Sequence, residues 1–348
     1  MSIESFIRAI PKVELHVQLE GAMPKETLLL IAEQNDISEN LKHFNQWVAL
    51  LENPDYKRLD DLVRTVSLWL QQPEDLTRVV YELGVNLAKQ NVLYAEVNIN
   101  PLLYMEGGLS FEQFLTAIND GRDRVQRGWN VQLAWILTIP RDQPRKADDF
   151  IRWAISAAAK KGGVVGLGLS GPENVQPVGQ FERPFHSAEK KGLPRLPLAG
   201  DALGAQGLQE TVQLLLPDRI FHGWGAAEAP ELLRLLEEQH VPLCLTLTHE
   251  LRMERIKSYA DYPLRKLLDE GVTVTLSSGM PELYKTTLTQ EYLAAVGQCG
   301  VYPEELETLA LNSVRMSVMP EAQKQKMLEQ FAQEYARLRA EHLTPETT

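Results

Sequence analysis

Short aliphatic and β-branched runs recur along the chain and predict eight strands. The runs lie at 13–17, 92–100, 131–139, 164–170, 195–199, 219–223, 241–248 and 272–278. Between them, apolar residues recur every three or four positions, the spacing of an amphipathic helix. Eight strands that alternate with helices predict an α/β fold of the (β/α)8, or TIM, barrel type. A doubly wound open sheet is the alternative, but no GxGxxG motif follows the first predicted strand.

Two segments exceed the minimum that such a barrel needs. Residues 37–73 separate the first two predicted strands and carry Trp47 and Trp69, and we expect a helical lid there. Residues 302–342 predict C-terminal helices, the last of them strongly amphipathic. The length of 348 residues suits one large barrel, so we expect residues 1–348 to form a single domain.

The charge and cysteine content restrict the partners that the protein is expected to have. The net charge is −12, and Lys and Arg form no cluster longer than a pair, so we expect neither nucleic acid nor a membrane as a partner. Cys244 and Cys299 form no CxxC motif, which excludes a cysteine zinc site and suits a reducing compartment. With no signal-like N-terminus and no run of 18 apolar residues, we expect a cytoplasmic monomer or homodimer.

Barrel enzymes carry their chemistry at the C-terminal ends of the strands and in the loops that follow. This rule selects the candidate site residues of this chain. In chain order they are His16, Gln18, Ser170, Leu198, Asp201, His222, Trp224, His249, Glu250, Gly279 and Met280.

Five stretches of the chain together resemble a known family. They are PKVELHVQLEGAMPKETLL, GLGLSGPE, LAGD, RIFHG and VTLSSGMPELYKTTLTQEY. In content and order, over roughly residues 8 to 320, they resemble the adenosine deaminase family, which includes bacterial adenine and aminodeoxyfutalosine deaminases. The resemblance implies a zinc ion held by an HxH pair on the first strand, an HAGE histidine on the fifth and an aspartate on the eighth. Zinc in that family activates the water that attacks the purine carbon bearing the amine.

Three of the four positions that match the zinc ligands hold a poor zinc ligand or no donor atom. His16 matches the first ligand, whereas the other three positions hold Gln18, Leu198 and Gly279. A catalytic zinc site needs three protein ligands, and one histidine does not supply them. We therefore expect no metal and no other cofactor, with Gln18 serving as a hydrogen-bonding wall of the pocket.

The positions that handle protons in the family have changed as well. Asp201 stands for the HAGE glutamate and Met280 for the water-orienting aspartate, while His222 keeps the histidine of the HG motif. Natural divergence and deliberate redesign of the pocket are both compatible with changes concentrated at strand ends.

The remaining acid–base groups lead to an expected function and two alternatives. We expect a metal-independent catalyst that acts on a flat aromatic molecule, for example by proton abstraction, with Glu250, Asp201 or His249 as base. His222 and Ser170 would donate hydrogen bonds to such a substrate. The first alternative is a purine-nucleoside-binding protein without turnover, and the second is a zinc-dependent adenosine or adenine deaminase.

Two placements stay open. Alternation along a strand predicts that only one of His249 and Glu250 faces the pocket. Trp224 is expected either to stack on the ligand or to pack against the lid.

Overall fold

Eight parallel strands form the centre of the protein, in a computed structural model that describes residues 2–343. The strands are β1 Lys12–Gln18, β2 Val92–Ile99, β3 Gln132–Pro140, β4 Val164–Ser170, β5 Arg195–Ala199, β6 Ile220–His222, β7 Leu243–Leu245 and β8 Val274–Leu276. They pair in chain order from β1 to β8. A parallel bridge between Val17 and Gly279 then joins the two ends of the sheet. The (β/α)8 barrel predicted from the sequence is confirmed.

Helices surround the strands and fill the connections between them. In the first half of the chain they are α1 Ile3–Ala9, α2 Lys25–Gln34, α3 Ile37–Asn40, α4 Phe44–Glu52, α5 Leu59–Ser67, α6 Pro73–Ala88, α7 Pro101–Glu106, α8 Phe111–Trp129, α9 Ala147–Ala154 and α10 Ala157–Lys161. In the second half they are α11 Glu182–Lys190, α12 Gly204–Leu215, α13 Pro230–Glu238, α14 Leu247–Arg252, α15 Leu264–Asp269, α16 Pro281–Tyr284, α17 Leu288–Gln298, α18 Pro303–Arg315 and α19 Glu321–His342. No helix within residues 2–343 is long and apolar enough to cross a membrane.

The strands of the barrel are buried on both faces, and in β1 the buried residues include Lys12, Glu14 and His16. Strand β3 is typical, because its seven residues between Gln132 and Pro140 are all buried. Helices cover the outer face of the sheet while side chains fill the interior, so β3 lacks the polar alternation of a half-exposed strand.

Residues 37–73, between β1 and β2, contain the helices α3, α4 and α5. The rings of Phe44 and Trp69 pack at a centroid distance of 5.2 Å. The hydroxyl of Tyr56 donates to the carbonyl of Leu283 in α16, at 3.0 Å. This contact ties the segment to the connection that follows β8, on the side of the barrel where the strands end. That position supports the proposal that the segment is a lid.

The C-terminal segment contains α18 and α19. Phe331, Tyr335 and Leu338 are buried along one face of α19. The Tyr335 hydroxyl donates to the carbonyl of Pro11, immediately before β1, at 2.8 Å. Helix α19 therefore packs at the end of the barrel opposite to the candidate site.

The seventh strand is shorter than predicted. The apolar run 241–248 predicts one strand, but β7 ends at Leu245 and α14 begins at Leu247. The Glu291 side chain, on α17, accepts hydrogen bonds from the backbone N–H groups of Leu247 and Thr248, at 2.7 and 3.2 Å. The residue that satisfies the first amides of α14 is more than 40 positions away in sequence, so local periodicity carries no sign of it.

Candidate functional site

Two histidines and a glutamate converge where β6 and β7 end. His222 is the last residue of β6, and His249 and Glu250 lie on α14. All three side chains are buried. We call these three residues the His–Glu cluster.

The distances within the His–Glu cluster bring one carboxylate oxygen close to both imidazoles. Glu250 Oε1 lies 3.6 Å from His222 Nδ1 and 3.8 Å from His249 Nε2. The two imidazole rings are 4.1 Å apart between centroids. Strand alternation predicted that only one of His249 and Glu250 would face the pocket. That prediction is wrong, because consecutive residues on a helical turn diverge far less than consecutive residues on a strand.

Asp201 joins the cluster from the loop after β5. Its Oδ2 lies 3.2 Å from His249 Nε2. Glu173 positions this loop, since its buried carboxylate accepts hydrogen bonds from the N–H groups of Gly200, Asp201 and Leu203 at 2.8 to 3.1 Å. The Asp201 side chain, which stands where the family has a glutamate, therefore contacts the other acid–base groups.

Arg255 pairs with the two carboxylates, and sequence reasoning missed it. Its guanidinium is 2.9 Å from Glu250 Oε2 and also forms an ion pair with Asp201. It follows α14 in a turn where the Arg255 N–H donates to the Glu250 carbonyl. Nothing in the local sequence marks this arginine, because its partners become neighbours only once α14 forms.

Tyr284 is the second group that sequence reasoning missed. Its hydroxyl lies 2.8 Å from His249 Nδ1. Burial raises the pKa of Tyr284 well above its ordinary value, so the phenol keeps its proton. The contact fixes the orientation of the His249 ring and leaves Nε2 directed at the two carboxylates.

Burial and neighbouring charges shift the pKa values of the His–Glu cluster and of Asp201 in different directions. Burial lowers the pKa of His222 well below its ordinary value, so this imidazole is neutral. Burial also raises the pKa of Glu250 to about 6. For His249, burial opposes the charged form, but the neighbouring carboxylates outweigh it and raise the pKa. For Asp201, burial is likewise outweighed, here by His249, and the pKa falls below its usual range.

His16 faces a different environment. Its Nδ1 lies 2.9 Å from the amide nitrogen of Asn98, and its ring stacks on Phe221 at a centroid distance of 4.0 Å. Burial lowers the pKa of His16 to about 3, so the ring is neutral. With the Asn98 amide donating to Nδ1, the ring proton lies on Nε2, which then has no lone pair for a metal ion.

Gly279 stands at the family's fourth ligand position and offers no side chain to a metal ion. Its φ of +62° is in the left-handed region, and an added Cβ would lie 3.1 Å from the Tyr284 ring and 3.3 Å from Thr246 Oγ1. Leu198 offers no donor atom, and Gln18 offers a neutral amide. The residues at the family's zinc position therefore do not fit the ion.

The remaining predicted site residues lie around the mouth of the barrel. Gln18, Ser170, Leu198, Trp224 and Met280 are all partly exposed. The Trp224 ring lies 6.4 Å from that of Tyr262, so it has a packing partner on the protein itself. The structure thus gathers the acid–base candidates and leaves the amide and apolar candidates at the solvent side.

Comparisons with known proteins agree on the class of fold and on the family. The barrel superposes on that of an amidohydrolase from B. ambifaria, solved with bound Zn, with a TM-score of 0.89 at 24% identity, covering 98% of this chain and 94% of the other. An adenine deaminase from Arthrobacter aurescens superposes with a TM-score of 0.85 at 25% identity, covering 93% and 99%. The adenosine deaminase family model matches residues 11–334, so the chain belongs to that family.

A sequence relative gives the same result. An aminodeoxyfutalosine deaminase from Streptomyces avermitilis is 31% identical over 335 residues, which cover 93% of this chain and 91% of the relative. The family is one of deaminase hydrolases. The predicted metal-independent catalyst, with proton abstraction as the example reaction, is therefore wrong, because the family and this relative are named for deamination, the hydrolysis of an amine.

Proposed function

We propose that the protein binds a purine nucleoside or a related purine-like small molecule at the C-terminal end of the barrel. The observation that carries this proposal is family membership over residues 11–334. Adenosine, adenine and aminodeoxyfutalosine, for which the family and the relatives are named, share a purine ring with an exocyclic amine.

The residues at the mouth of the barrel support a planar ligand of this kind. Gln18 offers both a donor and an acceptor, while Leu198, Trp224 and Met280 offer apolar surface, and all four are partly exposed. Small-molecule sites combine mostly apolar walls with a few polar groups that fix orientation. A purine needs such a combination, because its faces are apolar and its edge carries donors and acceptors.

Hydrolytic deamination is a second candidate, favoured by the family and by the grouping of Asp201 with the His–Glu cluster. The family's own zinc position does not supply this chemistry here, since Gln18, Leu198 and Gly279 have replaced its ligands. We therefore propose that the metal-free protein binds the purine without releasing ammonia.

Thermal unfolding with adenosine, adenine and aminodeoxyfutalosine tests the binding proposal. At 100 times Kd a ligand stabilises the folded state by about 2.7 kcal/mol. We expect a saturable rise in Tm with at least one of these purines and none with uridine, which shares only the ribose. No rise with any of the three at millimolar concentration, or an equal rise with uridine, would contradict the proposal.

A matched pair of variants locates the ligand. Leu198→Trp fills the mouth and is expected to weaken binding at least about tenfold, a loss of about 1.4 kcal/mol. Leu203→Trp makes the same change in the loop that follows β5, at a side chain that is 44% exposed, and is expected to leave binding unchanged. An ammonia assay on metal-free and zinc-supplemented protein then separates binding alone from turnover.

A further inference from the structure

We propose that His222, His249 and Glu250 form a divalent-metal site of the zinc type, displaced from the position that the family uses. The site is made of one residue at the end of β6 and two from α14. None of the three matches a zinc ligand of the family. The proposal does not depend on which small molecule the protein binds.

The separations of the three ligand atoms suit one shared ion. Ligands at 2.0 to 2.2 Å from a tetrahedral zinc ion lie about 3.3 to 3.6 Å apart. His222 Nδ1 and His249 Nε2 lie 3.6 and 3.8 Å from Glu250 Oε1. One possible ligand atom from each of the three residues lies within 4.8 Å of the other two. Small side-chain adjustments would bring the three atoms into the first coordination sphere of one zinc ion.

Two of the three candidate ligand atoms form no hydrogen bond within the described residues. Among residues 2–343, His222 Nδ1 and Glu250 Oε1 are buried without a hydrogen-bond partner. His222 is 2% exposed and Glu250 is fully buried. The gap between these atoms is too long for a hydrogen bond, and a buried polar group without a partner costs about 1 to 3 kcal/mol. A metal ion between them satisfies both at once.

The imidazoles are oriented as metal ligands are. Tyr284 contacts Nδ1 of His249, and an outer contact to the second ring nitrogen is typical of metal-bound histidine. His222 has a left-handed backbone, with φ of +66°, which directs its ring toward α14. Non-glycine residues rarely adopt this conformation unless the surrounding structure imposes it.

The charged side chains around the site have a negative net charge, which favours the binding of a cation. Asp201 and Glu250 contribute two negative charges and Arg255 one positive charge, so with neutral imidazoles the balance is −1. Arg255 takes Glu250 Oε2 and leaves Oε1 to the cluster. A protonated His249 would satisfy Asp201 but not His222 Nδ1, so the ion pairs alone do not account for the arrangement.

The donor set selects the class of metal. Two imidazole nitrogens and one carboxylate oxygen suit zinc and similar first-row divalent ions, and three protein ligands are the number in a catalytic zinc site. Asp201 Oδ2, at 3.2 Å from His249 Nε2, is placed to accept a hydrogen bond from a water molecule in the open position.

The test is metal binding by the full chain, stripped with a chelator and titrated with Zn²⁺ or Co²⁺ alone. We expect one equivalent of either metal by elemental analysis, with a Co²⁺ absorption spectrum typical of four-coordinate N and O ligation.

His222→Asn tolerates the left-handed backbone, and Glu250→Gln keeps the shape of the side chain. Each is expected to weaken Zn²⁺ binding by more than 100-fold. Tyr284→Phe, which removes only an outer contact, is expected to cost about 10- to 100-fold.

Two control variants separate this site from others. His16→Gln changes the one remaining ligand of the family's position, and His186→Gln removes a partly exposed histidine on α11. We expect one equivalent of Zn²⁺ with unchanged affinity in both, and circular dichroism checks that each variant is folded. The proposal is overturned if the chain binds no metal, or if binding is lost in His16→Gln and retained in folded Glu250→Gln.

Discussion

Glu20 is a buried carboxylate whose protonation links the stability of the fold to pH. It lies in the 3-10 turn after β1, where Oε1 accepts hydrogen bonds from the Asn100 N–H at 2.9 Å and the Tyr104 hydroxyl at 3.3 Å. Its Oε2 is buried with no hydrogen-bond partner within residues 2–343. Burial raises the pKa of Glu20 to about 7, although the hydrogen bonds oppose the rise.

Replacing Glu20 with Gln is therefore expected to change the pH dependence of stability. The folded state holds the proton more tightly than the unfolded chain, so the contribution of Glu20 is complete below pH 4.5 and is lost as pH rises to about 7. Relative to the parent protein, Glu20→Gln should gain stability over this interval, by roughly 3 kcal/mol at most. Urea denaturation at several pH values measures the gain.

The control for this experiment is Glu304→Gln, at an exposed position on α18. It is expected to follow the parent protein at every pH. If the difference between Glu20→Gln and the parent is the same at pH 5 and pH 8, the pKa of Glu20 is not raised.

At the scale of elements, one carboxylate decides where β7 ends and α14 begins. Besides the two amides of α14, Glu291 accepts hydrogen bonds from the hydroxyls of Thr286, at 2.7 Å, and Thr248. The first N–H groups of a helix have no partner within the helix and need an acceptor from elsewhere. Glu291 supplies that acceptor. It thereby fixes the first turn of α14, which carries His249 and Glu250.

Glu291→Gln is expected to loosen the start of α14. The amide has one acceptor oxygen in place of two and brings N–H groups toward other donors, so the free energy of unfolding should fall by about 1 to 3 kcal/mol. Hydrogen exchange at the amides of Leu247 and Thr248 should become faster. Glu329→Gln, exposed on α19, is the control and should change neither quantity. Unchanged exchange at Leu247 and Thr248 would show that Glu291 does not cap the helix.

The elements show what sequence patterns can and cannot predict. Strands β3 and β4 match their predicted runs closely, because a strand covered on both sides is marked by its continuous apolar run. The run 241–248 is equally apolar but changes from strand to helix in its middle. Periodicity does not separate a short buried strand from a short buried helix, and the capping group lies far away in the chain.

At the scale of the whole molecule, a buried ion pair connects distant parts of the barrel. Arg219, just before β6, pairs with Glu96 on β2 and donates to the carbonyl of Met316 at 2.6 Å. Glu96 also accepts from the Val318 N–H at 2.6 Å. Both charged side chains are fully buried. The pair therefore ties two strands to the connection between α18 and α19.

Glu96→Gln is expected to destabilise the whole fold. Removing one partner leaves the Arg219 charge buried without compensation, which typically costs about 3 to 5 kcal/mol. Chemical denaturation should show one cooperative transition at a lower midpoint. The comparison is Glu334→Gln, which breaks an exposed ion pair with Arg337 and should leave the midpoint unchanged. Equal effects of the two changes would contradict the role of the buried pair.

The candidate site was predictable only in part. Asp201, His222, His249 and Glu250 were predicted because a barrel places its chemistry at the C-terminal ends of its strands. Arg255 and Tyr284 were not predicted, since each reaches the acid–base groups only through tertiary contacts that no local motif marks. The expectation that no metal binds was derived from the family's four ligand positions, and it did not consider ligands gathered from β6 and α14.

Anomalous X-ray diffraction from crystals soaked in Zn²⁺ shows where on the protein the ion binds. We expect a single strong peak between His222 Nδ1, His249 Nε2 and Glu250 Oε1. A peak beside His16 and Gln18, at the family's position, would contradict it, and so would crystals whose chain carries no zinc peak at this site.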